Sequence, residues 1–544
     1  MLRQIARTLP IVCCLAAAGW ARAERIALVP LDDRPACTQF AQKIAGLAGI
    51  ELIVPPASVL GHFTTPGQPD RILDWLDKLD YNEVSTIIAS VDMIAYGGLV
   101  ASRTHAVPRE KAMARLERLA SLKRKRPRVG LFVFGATMRI APTAVAENRQ
   151  WRDDLATLSE LVGRKKHTGS KQWDQRIAQL ERYVPKKARD DYWGARNRNH
   201  DVQKRAIQLA SEGAFDYVIM GQDDARAHGP HVPETRNLRA LTQRLGADAK
   251  VYFFEGIDQM SNVLVSRILV RREDYMPYVR VVYSDDAART RIAPFESKAI
   301  ELSLRDQVLA SGARIAKAGE PFDYTLYVTV PGSRPDQFQA FLRSMKEDLD
   351  AGKDVALADA DLRYNGSGRM EVIEALREGN RLVRLLAYAG WNTAGNTMGT
   401  TIPTANVVLL ARRQDMAPET REVARAEFLL HRYVNDFLYH NYTRRVAYAF
   451  SDFEDGQTRE QVDRQGWEVI RTIVQRDLGR RLKDAYVEHL AGKRLTVGTR
   501  EIEVVGLDDV HIDLPWPRAF EVLMDFRLST RPIAEPSRIA GGGS

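Results

Sequence analysis

From residue 25 onward the chain alternates short, nearly unbroken apolar runs with amphipathic stretches. The apolar runs, rich in β-branched residues, fall at 25–31, 52–54, 86–90, 129–134, 217–220, 251–254, 280–283, 324–330, 354–358 and 382–387. Between most of them apolar residues recur at helical spacing, as at 72–79, 109–122 and 233–245. Strands that are apolar throughout, rather than alternating, are those buried on both faces, and strands separated by helices pair in parallel. The pattern predicts an α/β fold on a mostly parallel sheet, with the first unit closing into a (β/α)-barrel-like form. Ligands of such folds gather beyond the carboxyl ends of the strands.

The rhythm breaks twice. Residues 151–211 are charged and helical in spacing (155–162, 174–183 and 197–210), and read as a helical insertion near the site. From residue 417 two long helices (419–439 and 459–490) precede short strands at 501–505 and 511–514 and a final segment at 516–526. Three units follow: a main α/β domain over 24–290 carrying the insertion at 151–211, a second α/β region over 291–416, and a C-terminal helical region with short strands over 417–544. No internal repeat is evident along the chain.

Residues 1–23 have the form of a secretion signal. Arg3 and Arg7 lead a short apolar stretch over 9–19, and Ala21-Arg22-Ala23 is a small-x-small cleavage site. The stretch is shorter than the roughly 20 apolar residues of a membrane span, and no later run reaches that length without charge. A periplasmic or secreted protein, cleaved near Ala23 and with no membrane span, is expected. Cys13 and Cys14 leave with the signal, so Cys37 is a lone thiol that reads as a small packed residue. The net charge of +9 includes three signal arginines. The basic run at 123–128 ends an amphipathic helix, where cations complement the helix dipole. With export, this excludes nucleic acid as a partner.

Candidate chemistry sits at the strand exits. In chain order these carry Asp32-Asp33-Arg34, then Asp92 with Tyr96-Gly97-Gly98-Leu99 and Ser102-Arg103, then Thr137-Met138-Arg139. Gly221-Gln222-Asp223-Asp224, Glu255-Gly256-Ile257-Asp258, Ser284-Asp285-Asp286 and Tyr388-Ala389-Gly390-Trp391-Asn392-Thr393 follow. Of six Asp-Asp pairs, three (32/33, 223/224 and 285/286) follow apolar strands. One aspartate suffices to cap a helix, so a pair asks for a further reason. Arg196, Asn199 and His200 share one helix face, which suits either a cleft wall or a polar helix contact.

Glycoside hydrolysis needs two carboxyl groups in different environments, one held protonated and one ionised. Asp223 and Asp224 are the expected catalytic pair. Asp32, Asp33, Arg34, Asp92, Arg103, Arg139, Glu255 and Asp258 are of the types that bind sugar hydroxyls. Trp391 would supply an aromatic floor and Asn392 a ligand hydrogen bond. The competing chemistry is a metal-dependent hydrolase or deacetylase using Asp223, Asp224, His228 and His231, since imidazole and carboxylate suit zinc or manganese. The turn within His228-Gly229-Pro230-His231 weighs against convergence of those imidazoles, no HExxH occurs, and no cysteine pair is left once the signal carrying Cys13 and Cys14 is removed. No metal or other cofactor is expected. No GxGxxG opens the first strand–helix unit, no Gly-Lys-Ser/Thr follows residue 393, and no GxSxG occurs. A non-catalytic periplasmic sugar-binding protein is the third reading, opposed by the cost of holding many acids unpaired. The expected partner is a small-molecule or oligosaccharide substrate.

Taken together, 31–35, Asp92 with 96–99 and 102–103, 221–224 and 388–393 with Gly395-Asn396 resemble the bacterial family catalogued as domain of unknown function 4127, over roughly 25–530. The resemblance implies no reaction. Gln259 stands where an acid is expected after Gly256-Ile257-Asp258. Locally, Asp223-Asp224 is similar to the acid pair of O-GlcNAc-type hexosaminidases, in which one acid orients the substrate's acetamido group and its neighbour protonates the leaving oxygen.

Overall fold

The computed structural model describes residues 25–362, 366–414, 417–453, 458–498 and 500–533. The expected signal at 1–23 and the glycine-rich end at 541–544 lie outside the described residues.

Eleven strands form two parallel sheets. The first contains β1 (Arg25–Val29), β2 (Glu51–Ile53), β3 (Val84–Ser90), β4 (Gly130–Thr137), β5 (Tyr217–Gln222) and β6 (Val251–Glu255). Its spatial order is β2-β1-β3-β4-β5-β6. The second contains β7 (Tyr278–Tyr283), β8 (Arg314–Ile315), β9 (Tyr324–Val328), β10 (Val355–Ala358) and β11 (Ala387–Ala389), in the order β8-β7-β9-β10-β11. The α/β fold with parallel strands is as the apolar runs predict.

Barrel closure does not occur. After β2 the chain crosses back over β1 to lay down β3, and that reversal of winding leaves edges at β2 and β6. A barrel would need the strands to proceed one way round. The second sheet repeats the reversal, with β8 and β9 on opposite sides of β7. The chain therefore uses one winding twice, a duplication of topology that no sequence repeat betrays. It also moves a boundary: 280–283 belongs to β7 of the second sheet, not to the unit ending at 290.

Two helices, Met260–Arg272 and Ala394–Arg413, pack together in a core shared by the sheets, where Ile26 and Leu28 of β1 join the same cluster as Leu326 and Ala356. Residues 394–411 are buried on every side, as a helix between layers must be. Small residues permit the approach: a Cβ on Gly399 would lie 2.1 Å from the Gln259 side chain.

The insertion forms helices Arg152–Thr168, Asp174–Tyr183 and Lys186–Ser211. Of the run 382–387, expected as a strand, residues 382–384 end a 3₁₀ segment (Glu378–Arg384), and only Ala387 belongs to β11. Asn380 there has a left-handed φ of 51°, which breaks an extended run. The C-terminal region begins with helix Pro418–Arg432, continues as a π-helix (Tyr433–Thr443) and returns to α geometry over Arg444–Phe453. Helix Arg464–His489 and an antiparallel sheet of β12 (Arg494–Val497), β13 (Arg500–Asp513) and β14 (Leu523–Pro532) complete it. This region folds back on the first: Gln39 Nε2 donates to the Met524 carbonyl at 2.8 Å. Among the described residues no helix is long and apolar enough to cross a membrane.

Candidate functional site

The carboxyl edge of the first sheet opens into a cleft of about 990 Å³. Arg34 after β1, Arg139 after β4, Asp223 and Asp224 after β5, and Asp258 after β6 line it. Asn392, Thr393 and Asn396 approach from the exit of β11, while Arg444 and Tyr448 beyond the π-helix and Trp516, Arg518 and Phe520 before β14 supply the far wall. The reversal of winding at β1 and β3 is the place where a doubly wound sheet leaves a crevice.

The β4–β5 ladder runs on past both strands and fixes the acid pair. The Asp223 amide donates to the Thr137 carbonyl at 3.1 Å, and the Asp224 carbonyl accepts from the Ile140 amide at 3.2 Å. Each acid meets its own arginine. Arg103 Nη2 lies 2.6 Å from Asp223 Oδ2, while Arg139 pairs with Asp224 Oδ2. Asp223 Oδ1 also accepts the Asp224 amide at 2.8 Å. The two environments differ. Burial pushes the Asp223 carboxyl up, but Arg103 and Arg139 together outweigh it and hold the group below its ordinary range. Asp224 goes the other way: burial and the neighbouring Asp223 charge prevail over Arg139 and raise it. Asp224 is also the more open, its side chain 28% exposed against 4% for Asp223.

Arg34 joins two strand exits. Its Nε and Nη2 fork onto Asp32 at 2.8–3.0 Å, and Nη2 also donates to Asp258 Oδ1 at 2.7 Å. Burial raises Asp258 against the pull of Arg34. Asn392 holds a left-handed φ of 58° and donates to Asn396 Oδ1 at 2.8 Å. Thr393 caps the following helix by accepting the Asn396 amide.

Other expected site residues lie elsewhere. Asp32 is buried against Arg34 and does not line the cleft. Asp33 is tied instead to the Trp516 indole (2.7 Å) and to His62 (2.7 Å). Asp92 is buried behind the acid pair, accepting the Ala136 amide at 2.8 Å, and burial raises its carboxyl to about 7. Glu255 points away, bonded to the Ser297 amide and hydroxyl. Trp391 is not a floor to the cleft. It is buried in the core, its indole donating to Thr400 and its ring edge-on to Phe40. A strand exit exposes residues on alternate sides, and these point into the layers.

The helical insertion acts as a brace. Arg196 donates to the carbonyls of Met138 and Arg139, and Arg198 with Asn199 grips the Ser102 carbonyl. Arg103 and Arg139 are thus positioned from behind, and the face shared by 196 and 199 is a polar contact. His231 bonds the Arg226 carbonyl, and His228 faces His167. Asp285 caps its own turn and binds Arg334 in the loop after β9. Among the described residues no three His, Cys, Asp or Glu side chains group in a way that could hold a metal ion.

Sequence reasoning missed Gln222, Phe295, Arg152 and the wall formed by Arg444, Tyr448, Glu460, Trp516, Arg518 and Phe520. Only Gln222, at a strand exit beside the acid pair, carried a local signal. It lines the cleft with a buried Oε1 that has no partner.

No curated protein and no solved structure matches the chain. The sequence profile of the family described as "Protein of unknown function (DUF4127)" matches residues 26–525. With nearly its whole length covered, including every strand exit that lines the cleft, the chain belongs to the DUF4127 family.

Proposed function

We propose that this protein is an exported carbohydrate-active enzyme, a glycoside hydrolase whose general acid is Asp224 and whose charged partner is Asp223. The observation that carries the reading is the splitting of two adjacent carboxyls in one cleft, Asp224 raised and Asp223 lowered. Acid and base assignments follow such splits. Asp224 donates its proton to the glycosidic oxygen as the C–O bond breaks. Asp223, ionised, accepts the N–H of a substrate acetamido group and aims its carbonyl oxygen at the anomeric carbon. That oxygen forms the new C–O bond. Water then opens the ring intermediate, returning a proton to Asp224, so that water is added across the glycosidic bond and no cofactor is consumed. Arg103 and Arg139 keep the two carboxyls apart and oriented.

The test is a panel of 4-nitrophenyl glycosides that includes N-acetylhexosaminides. Wild-type protein should hydrolyse at least one, and on an alkyl glycoside of that sugar, whose leaving oxygen needs a proton, Asp224→Asn should lose about 10²–10⁴-fold in kcat, the size of a general-acid contribution. Absence of turnover across the panel, with sugar binding unchanged in Asp224→Asn, would overturn the reading.

A further inference from the structure

Asp224 stands between two hollows. Besides the main cleft, a second hollow of about 310 Å³ opens beside it. Asp224, Arg139, Arg152 and Phe295 line both. An acid that protonates a bridging oxygen needs one sugar unit on each side of that oxygen, and Asp224 alone of the acid pair reaches both spaces.

The wall between the hollows carries Phe295, whose side chain the rest of the molecule leaves in solvent. It is 60% exposed and holds a left-handed φ of 66°. A bulky residue in such a conformation costs of order 1–3 kcal/mol, and it persists only where its surroundings impose it. They do so twice. The Phe295 carbonyl accepts the Ala225 amide at 2.8 Å, tying the residue to the chain just after the acid pair. The next residue, Glu296, accepts the Gly395 amide at the start of the central helix. Held from both sides, the phenyl ring has no core contact to explain it.

We infer that the smaller hollow is the leaving-group subsite of the hydrolase proposed above, and that Phe295 is its stacking platform for the departing ring. A 310 Å³ space suits one or two sugar rings, and the apolar face of a pyranose covers a phenyl ring as an aromatic neighbour would. The larger cleft, with Asp223 at its base, takes the sugar whose anomeric bond is cut. The inference rests on the hydrolase reading but makes a separate claim, that specificity for the departing group resides in a loop outside the acid pair.

The experiment compares two substrates of the same sugar and anomer: a 4-nitrophenyl glycoside, whose leaving group carries a ring, and the glycosyl fluoride, whose leaving group does not. Phe295→Asn, which tolerates the left-handed backbone, should raise KM for the nitrophenyl glycoside about tenfold and leave the fluoride within twofold. Its melting temperature should be unchanged or higher, which separates the effect from loss of folding. Phe295→Tyr, which restores a ring, should return the nitrophenyl KM to within threefold of wild type. If both substrates change equally, or neither does, the subsite assignment fails while the hydrolase reading stands. If wild-type protein turns over neither substrate, both fail together.

Discussion

Arg34 Nη2 and Asp258 Oδ1 lie 2.7 Å apart across 224 residues, both side chains only 6% exposed, so that one guanidinium locks the exit of β1 to the exit of β6. The same guanidinium forks onto Asp32. Removing one partner of a buried ion pair leaves a charge without compensation, at about 3–5 kcal/mol. Arg34→Ala should therefore lower the melting temperature sharply. Arg34→Lys should recover only part of the loss, because an ammonium cannot reproduce the planar fork. Thermal denaturation of the three proteins checks this.

The split acid pair predicts a bell-shaped pH dependence of kcat/KM. In the proposed hydrolase mechanism Asp223 must be ionised and is held low, so activity should fail only at strongly acid pH. Asp224 must be protonated and is held above its ordinary range, so activity should fall as pH rises through its titration. In Arg139→Gln, Asp224 loses the cation that lowers it, and the alkaline limb should move to higher pH. A limb that moved downward would contradict the assignment of Asp224 as acid.

Asp92 affects stability rather than substrate contact. Burial raises its carboxyl to about 7 in the folded protein, from an ordinary 3.8. A carboxyl raised in this way is favoured in the fold while protonated. Its stabilising contribution is complete below the unfolded value and is lost as pH rises through the folded value. Asp92→Asn keeps an oxygen for the Ala136 amide and carries no charge at any pH. It should match wild type near pH 4 and exceed it at pH 8 by on the order of 1–4 kcal/mol, because each tenfold change in acidity between the folded and unfolded carboxyl is about 1.4 kcal/mol. Melting curves across pH, taken as variant minus wild type, isolate this from the similarly raised Asp359.

Leaving-group chemistry separates the two acids. A substrate whose leaving group departs without a proton does not need Asp224. Asp224→Asn should thus lose little with a dinitrophenyl glycoside and about 10²–10⁴-fold with an alkyl glycoside. Asp223→Asn should lose comparably with both, since it acts at the anomeric side. Equal losses in Asp224→Asn with both leaving groups would count against its role.

Trp391 and Trp516 should respond differently to substitution, because only Trp516 borders the cleft. Trp391→Ala opens a cavity in the shared core and should cost about 3–5 kcal/mol, with kcat/KM of the folded enzyme nearly unchanged. Trp516 lines the cleft, lies 4.9 Å from the Arg34 guanidinium carbon and donates to Asp33. Trp516→Phe should raise KM severalfold with a smaller loss of stability.

Much was legible along the chain because the signals are local. Apolar runs broken by helical periodicity located nine of the eleven parallel strands within a few residues of their observed ends, all but β8 and β11, since a strand buried on both faces admits little else. The strand exits named Asp223, Asp224, Arg34, Arg103, Arg139, Asp258 and Asn392 together, and all seven line the cleft. The tertiary structure decided the rest. An exit residue turns toward the cleft or into a layer according to the crossover that follows. This sent Asp92, Glu255 and Trp391 inward, and no spacing rule distinguishes those outcomes. The open sheets follow from a reversal of winding set by how helices cover both faces. The far wall of the cleft comes from Arg444, Tyr448, Glu460, Trp516, Arg518 and Phe520, and Phe295, exposed and with a left-handed φ, is set beside Asp224 only by the fold. Periodicity belongs to neighbours in sequence, whereas the charge state and reach of a side chain belong to neighbours in space.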